Sequence, residues 1–239
     1  MKYPIEQQVE LADGRVVSIS RNGHHQYRIK ADTDKDYGPL MPSVTTTTGH
    51  LSGDTFGIGM NWALKVAREN GGDINAPKVS SRKAIDEGER LHEAIRKYIS
   101  SGSVDEENPM FVAWLNEVGY DREWVATEQH LAHPVLCYGG TVDALSREKD
   151  GSIAIWDWKT KEQASYEKYG ADLKHKVQVA AYAHALQALN ARYVPIKGYI
   201  TYIMRDGHNA VDTVEVDLDQ YFKLYTASLN MYNLVKEIK

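Results

Sequence analysis

Two short β-like stretches with acids set into them constrain this chain more than any other feature. Residues 138–145 read Tyr-Gly-Gly-Thr-Val-Asp-Ala-Leu, and residues 152–160 read Ser-Ile-Ala-Ile-Trp-Asp-Trp-Lys-Thr. Tyr138 to Leu145 is rich in β formers and glycine, and Ser152 to Trp158 alternates apolar residues around Ala154. Glu148-Lys149-Asp150-Gly151 supplies a turn between them, so the segment predicts a hairpin. Asp143 and Asp157 stand where the apolar pattern predicts burial, and a buried charge needs a partner.

In such a hairpin Asp143 lies beside Asp157, and paired carboxylates repel unless a cation stands between them. Oxygen ligands suit a hard divalent ion such as Mg²⁺ or Mn²⁺, with the carbonyl of Trp158 as a natural extra ligand. Lys159 is two residues after Asp157 and shares its face of the strand, so its ammonium group points toward the same place and can orient a water. A cation-activated water beside a lysine is the help that phosphodiester hydrolysis requires. An Asp-x-Lys triplet alone is commonly a solvated strand end, so the reading depends on its surroundings.

Those surroundings supply more polar groups. Arg82 to Ser100 carries Ala84, Ile85, Leu91, Ala94, Ile95, Tyr98 and Ile99 at helical spacing, and His92 falls within this helix. His92 can be a hydrogen-bonded packing residue or a ligand. Glu123 to Leu131 reads as a strand holding Glu128, either solvated or the third acid of one sheet. Lys174 to Asn190 reads as an amphipathic helix in which Gln178 and Tyr182, one turn apart, either cap the edge of the core or face the site.

Taken in order, Gly88-x-x-x-His92, Glu128, Gly140-x-x-Asp143, Asp157-x-Lys159 and Gln178-x-x-x-Tyr182 resemble the motifs of RecB-type nucleases of the PD-(D/E)xK superfamily, over roughly residues 82–206. The resemblance implies an α/β fold with a restriction-endonuclease-like core. Its order is helix, three strands, helix, strand, with a central mixed sheet flanked by helices. It also implies that His92, Asp143 and Asp157 bind metal, that Lys159 assists the water, and that Gln178 and Tyr182 contact site or substrate. Glu128 takes a water-mediated or substrate-orienting role. Pro42-Ser43-Val44-Thr45-Thr46, a Trp62-bearing helix and Gly139-Gly140-Thr141-Val142-Asp143-Ala144 look like the single-strand exonuclease branch, which includes mitochondrial genome maintenance exonucleases and phage relatives.

Residues 1–40 are expected to form a β appendage, with Arg15 to Ser20 and His25 to Lys30 flanking an Asn22-Gly23 turn. Residues 41–239 are expected to form one compact nuclease domain, in which the segment from Pro42 to about Pro77 makes an arch or lid. Ser43, Thr45, Trp62, Lys161 and Lys176 are the candidate substrate contacts; aromatic rings stack on bases and lysines meet phosphates. The net charge of −5 counts against a protein that coats nucleic acid through a broadly basic surface, but not against one that grips a strand in a local groove.

With 42% hydrophobic and 26% charged residues the composition is that of a globular chain. No stretch approaches a membrane span, the first residues lack the apolar run of a secretory signal, and Cys137 is the single cysteine. A reducing, intracellular setting, cytoplasmic and of bacterial or phage origin, is expected, with Cys137 as a small core filler. The expected function is a Mg²⁺- or Mn²⁺-dependent DNA nuclease, a single-strand exonuclease in replication, recombination or repair, with DNA that is single-stranded or has a free end as its partner. The alternatives are a non-catalytic nucleic-acid-binding module on the same fold and a metal-dependent hydrolase of smaller phosphate esters.

Overall fold

The computed structural model describes residues 3–11, 13–52, 58–120, 122–189, 196–206 and 210–238. Its centre is the expected hairpin. Strands β5 (Tyr138–Arg147) and β6 (Ile153–Lys161) pair antiparallel, with Ala144 opposite Trp156 and Leu145 opposite Ile155. Strand β4 (Glu123–His133) lies outside β5, while β7 (Ile196–Met204) runs parallel to β6 and β8 (Val211–Glu215) closes the far edge. The sheet is therefore mixed and five-stranded, in the order β4-β5-β6-β7-β8. A parallel β6–β7 pair needs a crossover, and the helices Gln163–Tyr169 and Leu173–Leu189 supply it.

Both faces of the sheet are covered, which is why β6 is buried from Ile153 to Trp158. On one face, side chains of the long helix Ala76–Ser101 (Leu91, Ala94, Ile95) and the short helix Pro109–Trp114 (Phe111, Trp114) meet Ala154, Trp156 and Trp158. Rings interlock there: Trp114 stands edge-on to Trp158 at 5.5 Å, and Trp156 stacks on Trp158 at 5.5 Å. On the other face, helix Leu173–Leu189 packs with Ile153, Ile155, Ile200 and the C-terminal helix Leu218–Ile238. In chain order the helices are α1 (Val44–Thr47), α2 (Ile58–Glu69), α3 (Ala76–Ser101), α4 (Pro109–Trp114), α5 (Gln163–Tyr169), α6 (Leu173–Leu189) and α7 (Leu218–Ile238). Among the described residues no helix is long and apolar enough to cross a membrane.

Helix α6 is not the amphipathic surface helix that its sequence suggests. Residues 177–183 are all buried, because the sheet covers one side of the helix and α7 the other. Its alanines let both neighbours approach. Helix α3 starts at Ala76, earlier than the apolar stripe indicates, because Pro77 fits the first turn, where a missing N–H costs nothing. Asn190 lies outside the described residues.

The N-terminal part is a sheet of three strands, β1 (Ile5–Glu10), β2 (Val16–Arg21) and β3 (Tyr27–Ala31), in that spatial order. The β2–β3 hairpin is the expected one, but its connection is longer than an Asn-Gly turn. Asn22 N–H donates to the Gln26 carbonyl at 3.0 Å, the Asn22 side chain accepts from the N–H groups of His24 and Gln26, and His25 takes the left-handed conformation with φ 55°. Strand β1 has only Ile5 and Val9 as apolar residues, so no alternation announced it. The sheet is joined to the rest by Tyr27, which lies against Gly139 so closely that a Cβ there would come within 2.5 Å of the ring. Cys137 corrects another expectation. It is exposed, at the end of the 134–137 turn with φ 54°, and so it fills no core.

Candidate active site

Where β5 and β6 part beyond the Ala144–Trp156 pair, their acids face each other. The Trp158 N–H donates to Asp143 Oδ2 at 2.8 Å, so the Asp143 carboxylate occupies a ladder position of its neighbour. From α3, His92 approaches with Nδ1 at 3.6 Å from Asp143 Oδ1, while its Nε2 hydrogen-bonds the Trp158 carbonyl at 3.1 Å. Gly88, one helical turn before His92, faces β6, where an added Cβ would make an ordinary contact with Thr160 Oγ1 at 3.5 Å. From β4 comes Glu128. One ligand atom each from His92, Glu128 and Asp143 lies within 4.8 Å of the others, the spacing of a metal-binding group.

Asp157 is almost fully buried and holds a second set of contacts. Lys159 Nζ lies 2.5 Å from its Oδ2, and Gln178 Nε2 donates to its Oδ1 at 3.2 Å and to the Tyr182 hydroxyl at 2.9 Å. Gln178 and Tyr182 therefore face the site and not merely the core. Gly140 makes this arrangement fit, since a Cβ on it would meet Tyr182 Cε1 at 2.3 Å. The metal-like group thus includes Glu128, whereas Asp157 is engaged by lysine and glutamine. The Trp158 carbonyl, expected as a ligand, accepts from His92.

Electrostatics follow from burial and crowding. Burial, helped by the Asp143 charge, pushes the Glu128 carboxyl up to about 7. Burial likewise pushes Asp157 up to about 6, with Lys159 opposing. For Asp143, burial is outweighed by His92 and Lys159, which hold its carboxyl below the usual range. His92 is raised because Asp143 more than offsets the effect of burial, and Lys159 is raised because Asp157 and Asp143 do the same. The imidazole and ammonium are thus held charged by the acids that flank them. One imidazole and two carboxylates form a donor set that fits a hard or borderline divalent cation, which would take the place of the proton on His92 and Glu128.

His92, Glu128 and Lys159 open onto a cleft of about 950 Å³ whose walls include Gln7, Arg21, Arg96, His130, His175 and Arg205, none of which the sequence patterns singled out. Arg96 lies one turn beyond His92 on α3, so helical spacing from His92 was a usable signal. Arg21 and Gln7 come from the appendage and had none. His130 is buried, and burial lowers it to about 4. A second cleft, lined by Trp62, Lys65, Lys161, Lys168, Tyr169 and Arg205 among others, shares Arg205 with the first.

The remaining expected substrate contacts have other partners. Ser43 is buried and caps α1, accepting from the Thr46 N–H at 3.1 Å, and Thr45 is exposed with its hydroxyl 3.0 Å from Ser43 Oγ. Lys161 donates to the Gly170 carbonyl at 3.0 Å and pairs with Asp172 at 3.2 Å, and Lys176 stands over the Tyr221 ring of α7.

A sequence model of the PD-(D/E)XK nuclease superfamily matches residues 89–231, which include His92, Glu128, Asp143, Asp157, Lys159, Gln178 and Tyr182. The chain belongs to that superfamily, whose members use divalent metals. No curated protein matched by sequence. Among solved structures, LHK-Exo in complex with dAMP is similar at a TM-score of 0.45 and 11% identity, over 83% of this chain and 88% of that one. The alkaline exonuclease LHK-Exo from Laribacter hongkongensis in a second structure gives 0.34 and 11%, over 62% and 83%; SSO0001 gives 0.36 and 17%, over 79% and 84%.

Proposed function

We propose that this protein is a Mg²⁺- or Mn²⁺-dependent DNA nuclease, an exonuclease acting on single strands. The observation that carries the reading is the meeting of His92, Glu128 and Asp143 beside a buried Asp157–Lys159 pair at the head of one cleft. A divalent ion held by His92, Glu128 and Asp143 would supply an acidified water and offset charge on a phosphoryl oxygen. The chain's own groups do the rest. Lys159, kept cationic by Asp157 and Asp143, donates hydrogen bonds to the attacking water or to the phosphoryl oxygen. Gln178, braced on the Tyr182 hydroxyl, fixes the Asp157 carboxylate and through it the lysine. The water oxygen joins phosphorus, the bond from phosphorus to the departing sugar oxygen breaks, and a proton ends on that oxygen.

On this reading residues 41–239 are the nuclease domain, and residues 1–40 are an appendage that lends a wall to the cleft. Trp62 and Lys65 of α2 line the second cleft with Tyr169, Lys168 and Arg205, which supports a strand path running beneath α2, with the rings as stacking platforms. The test is incubation with end-labelled single- and double-stranded DNA, with Mg²⁺, Mn²⁺ or chelator, comparing wild type with Asp143→Ala. Release of mononucleotides from single strands only, abolished by chelator and by the substitution, is the expected result. Binding without cleavage under every condition would favour the non-catalytic module. Turnover of small phosphate esters but not of polynucleotides would favour the other hydrolase.

A further inference from the structure

Glu128 reaches the site in an unusual way. It lies inside β4 yet has φ 51°, a left-handed conformation that non-glycine residues seldom hold without support. The ladder with β5 continues on either side, with Thr127 opposite Ala144 and Gln129 opposite Val142, so the kink is local and the strand is not broken. The support comes from the other sheet. Strand β4 is an edge, and the side chain of Gln7 in β1 covers it at this point: Nε2 donates to the Glu128 carbonyl at 2.7 Å, and Oε1 accepts from the His130 N–H at 2.6 Å and from Gln129 Nε2 at 3.2 Å. A primary amide carries a donor and an acceptor much as a peptide unit does. Gln7 thus bonds the carbonyl before Gln129 and the N–H after it, the pattern of a residue in a parallel neighbouring strand.

We infer that Gln7 is the positioning residue that holds Glu128 in the metal-binding group, so that the N-terminal appendage is a working part of the active site. This rests on the reading of His92, Glu128 and Asp143 as metal ligands. Gln7 touches no reacting atom; it fixes the backbone from which one ligand projects, and groups that orient a ligand in this way commonly change metal affinity by about ten- to a hundredfold when removed. The register sets residue 128 opposite Asp143, and the left-handed backbone there fixes the direction from which the carboxylate approaches His92 and Asp143.

The test is a double-mutant cycle on the full chain, with Mn²⁺ affinity measured by calorimetry and folding followed by thermal melting. Gln7→Met keeps the length of the side chain and removes the amide. It should weaken Mn²⁺ binding about tenfold in the wild-type background and have no further effect in a Glu128→Ala background. Gln7→Asn, too short to reach both backbone groups, should behave likewise and stands in if the methionine variant does not fold. Wild-type affinity in the Gln7 variants, with affinity lost in Glu128→Ala, would overturn the inference alone. So would an equal loss in both backgrounds, which would mark a general structural role. Unchanged affinity in Glu128→Ala would overturn the metal reading and this inference with it.

Discussion

Strands β6 and β4 each bring a carboxylate to the same site by different means. In β6 ordinary pleating is enough: Asp157 and Lys159 face α6, while Trp156 and Trp158 face the ring cluster around Trp114. In β4 the backbone departs from the regular strand, since Glu128 holds φ 51° and its carbonyl is held by an amide from another sheet. The β6 groups are fixed by packing on both faces of a central strand. The β4 group is fixed at an edge, where hydrogen bonds from Gln7 close the free side of the strand. A site can thus combine a rigid half, built by the core, with an adjustable half, built by a contact between sheets.

Four changes would break or sharpen that contrast. The largest effect is expected in the rigid half, where Lys159→Met should lower the rate of single-strand cleavage by about 10²- to 10³-fold at saturating metal, read from end-labelled product. An unaltered rate would remove Lys159 from the chemistry.

Metal-free stability comes next. The Glu128 carboxyl is raised from 4.5 to about 7, so the folded state binds a proton that the unfolded chain has released between those values. Stability is then greatest below about pH 4.5 and falls as pH rises to about 7, by up to roughly 3 kcal/mol from this group. Asp157 (to about 6) and His92, both raised, act in the same direction, whereas the lowered Asp143 loses its contribution only in acid. Denaturant unfolding in chelator from pH 4.5 to 7.5 reads the slope, and Glu128→Gln should flatten it more than Asp157→Asn does. Stability that rose over this range would contradict the crowding of the acids.

Gly140→Ala should cost about 1–3 kcal/mol, because the new methyl group displaces Tyr182 and with it the brace on Gln178. Chemical denaturation measures the loss, and a neutral substitution would show that the α6 side is softer than the distances imply. The smallest effect belongs to the strained half. Glu128→Gly should be more stable than Glu128→Ala by about 1 kcal/mol, the reverse of the usual order in a strand, since glycine accepts the left-handed backbone without strain.

Much of the fold was legible. The hairpin of β5 and β6, the strand before it and the helix bearing His92 announce themselves through periodicity, because local apolar spacing records which face each element buries, and the helix bearing Gln178 announces its place in the chain. Asp143, Asp157 and Lys159 were legible for the same reason, as charges in places that packing reserves for apolar groups. Strand β1 was not, since Gln7 interrupts the face of Ile5 and Val9 and its bonding partner lies far along the chain. The all-round burial of α6 was hidden too, because only the docking of α7 covers its outer side.

By itself the sequence determined the order of the elements and the chemistry that they carry: an acid in each hairpin strand, a lysine two places on, a histidine on the preceding helix and a Gln-Tyr pair on the next. These follow from local spacing, which the chain cannot change without moving its apolar face. The tertiary structure decided which acids gather at one point, turning Asp157 toward Lys159 and Gln178 and bringing Glu128 to His92 and Asp143. It also decided that the appendage forms part of the cleft. The placing of Glu128 depends on a backbone angle held by a contact between residues 7 and 128, and no local pattern records a hydrogen bond made across such a distance.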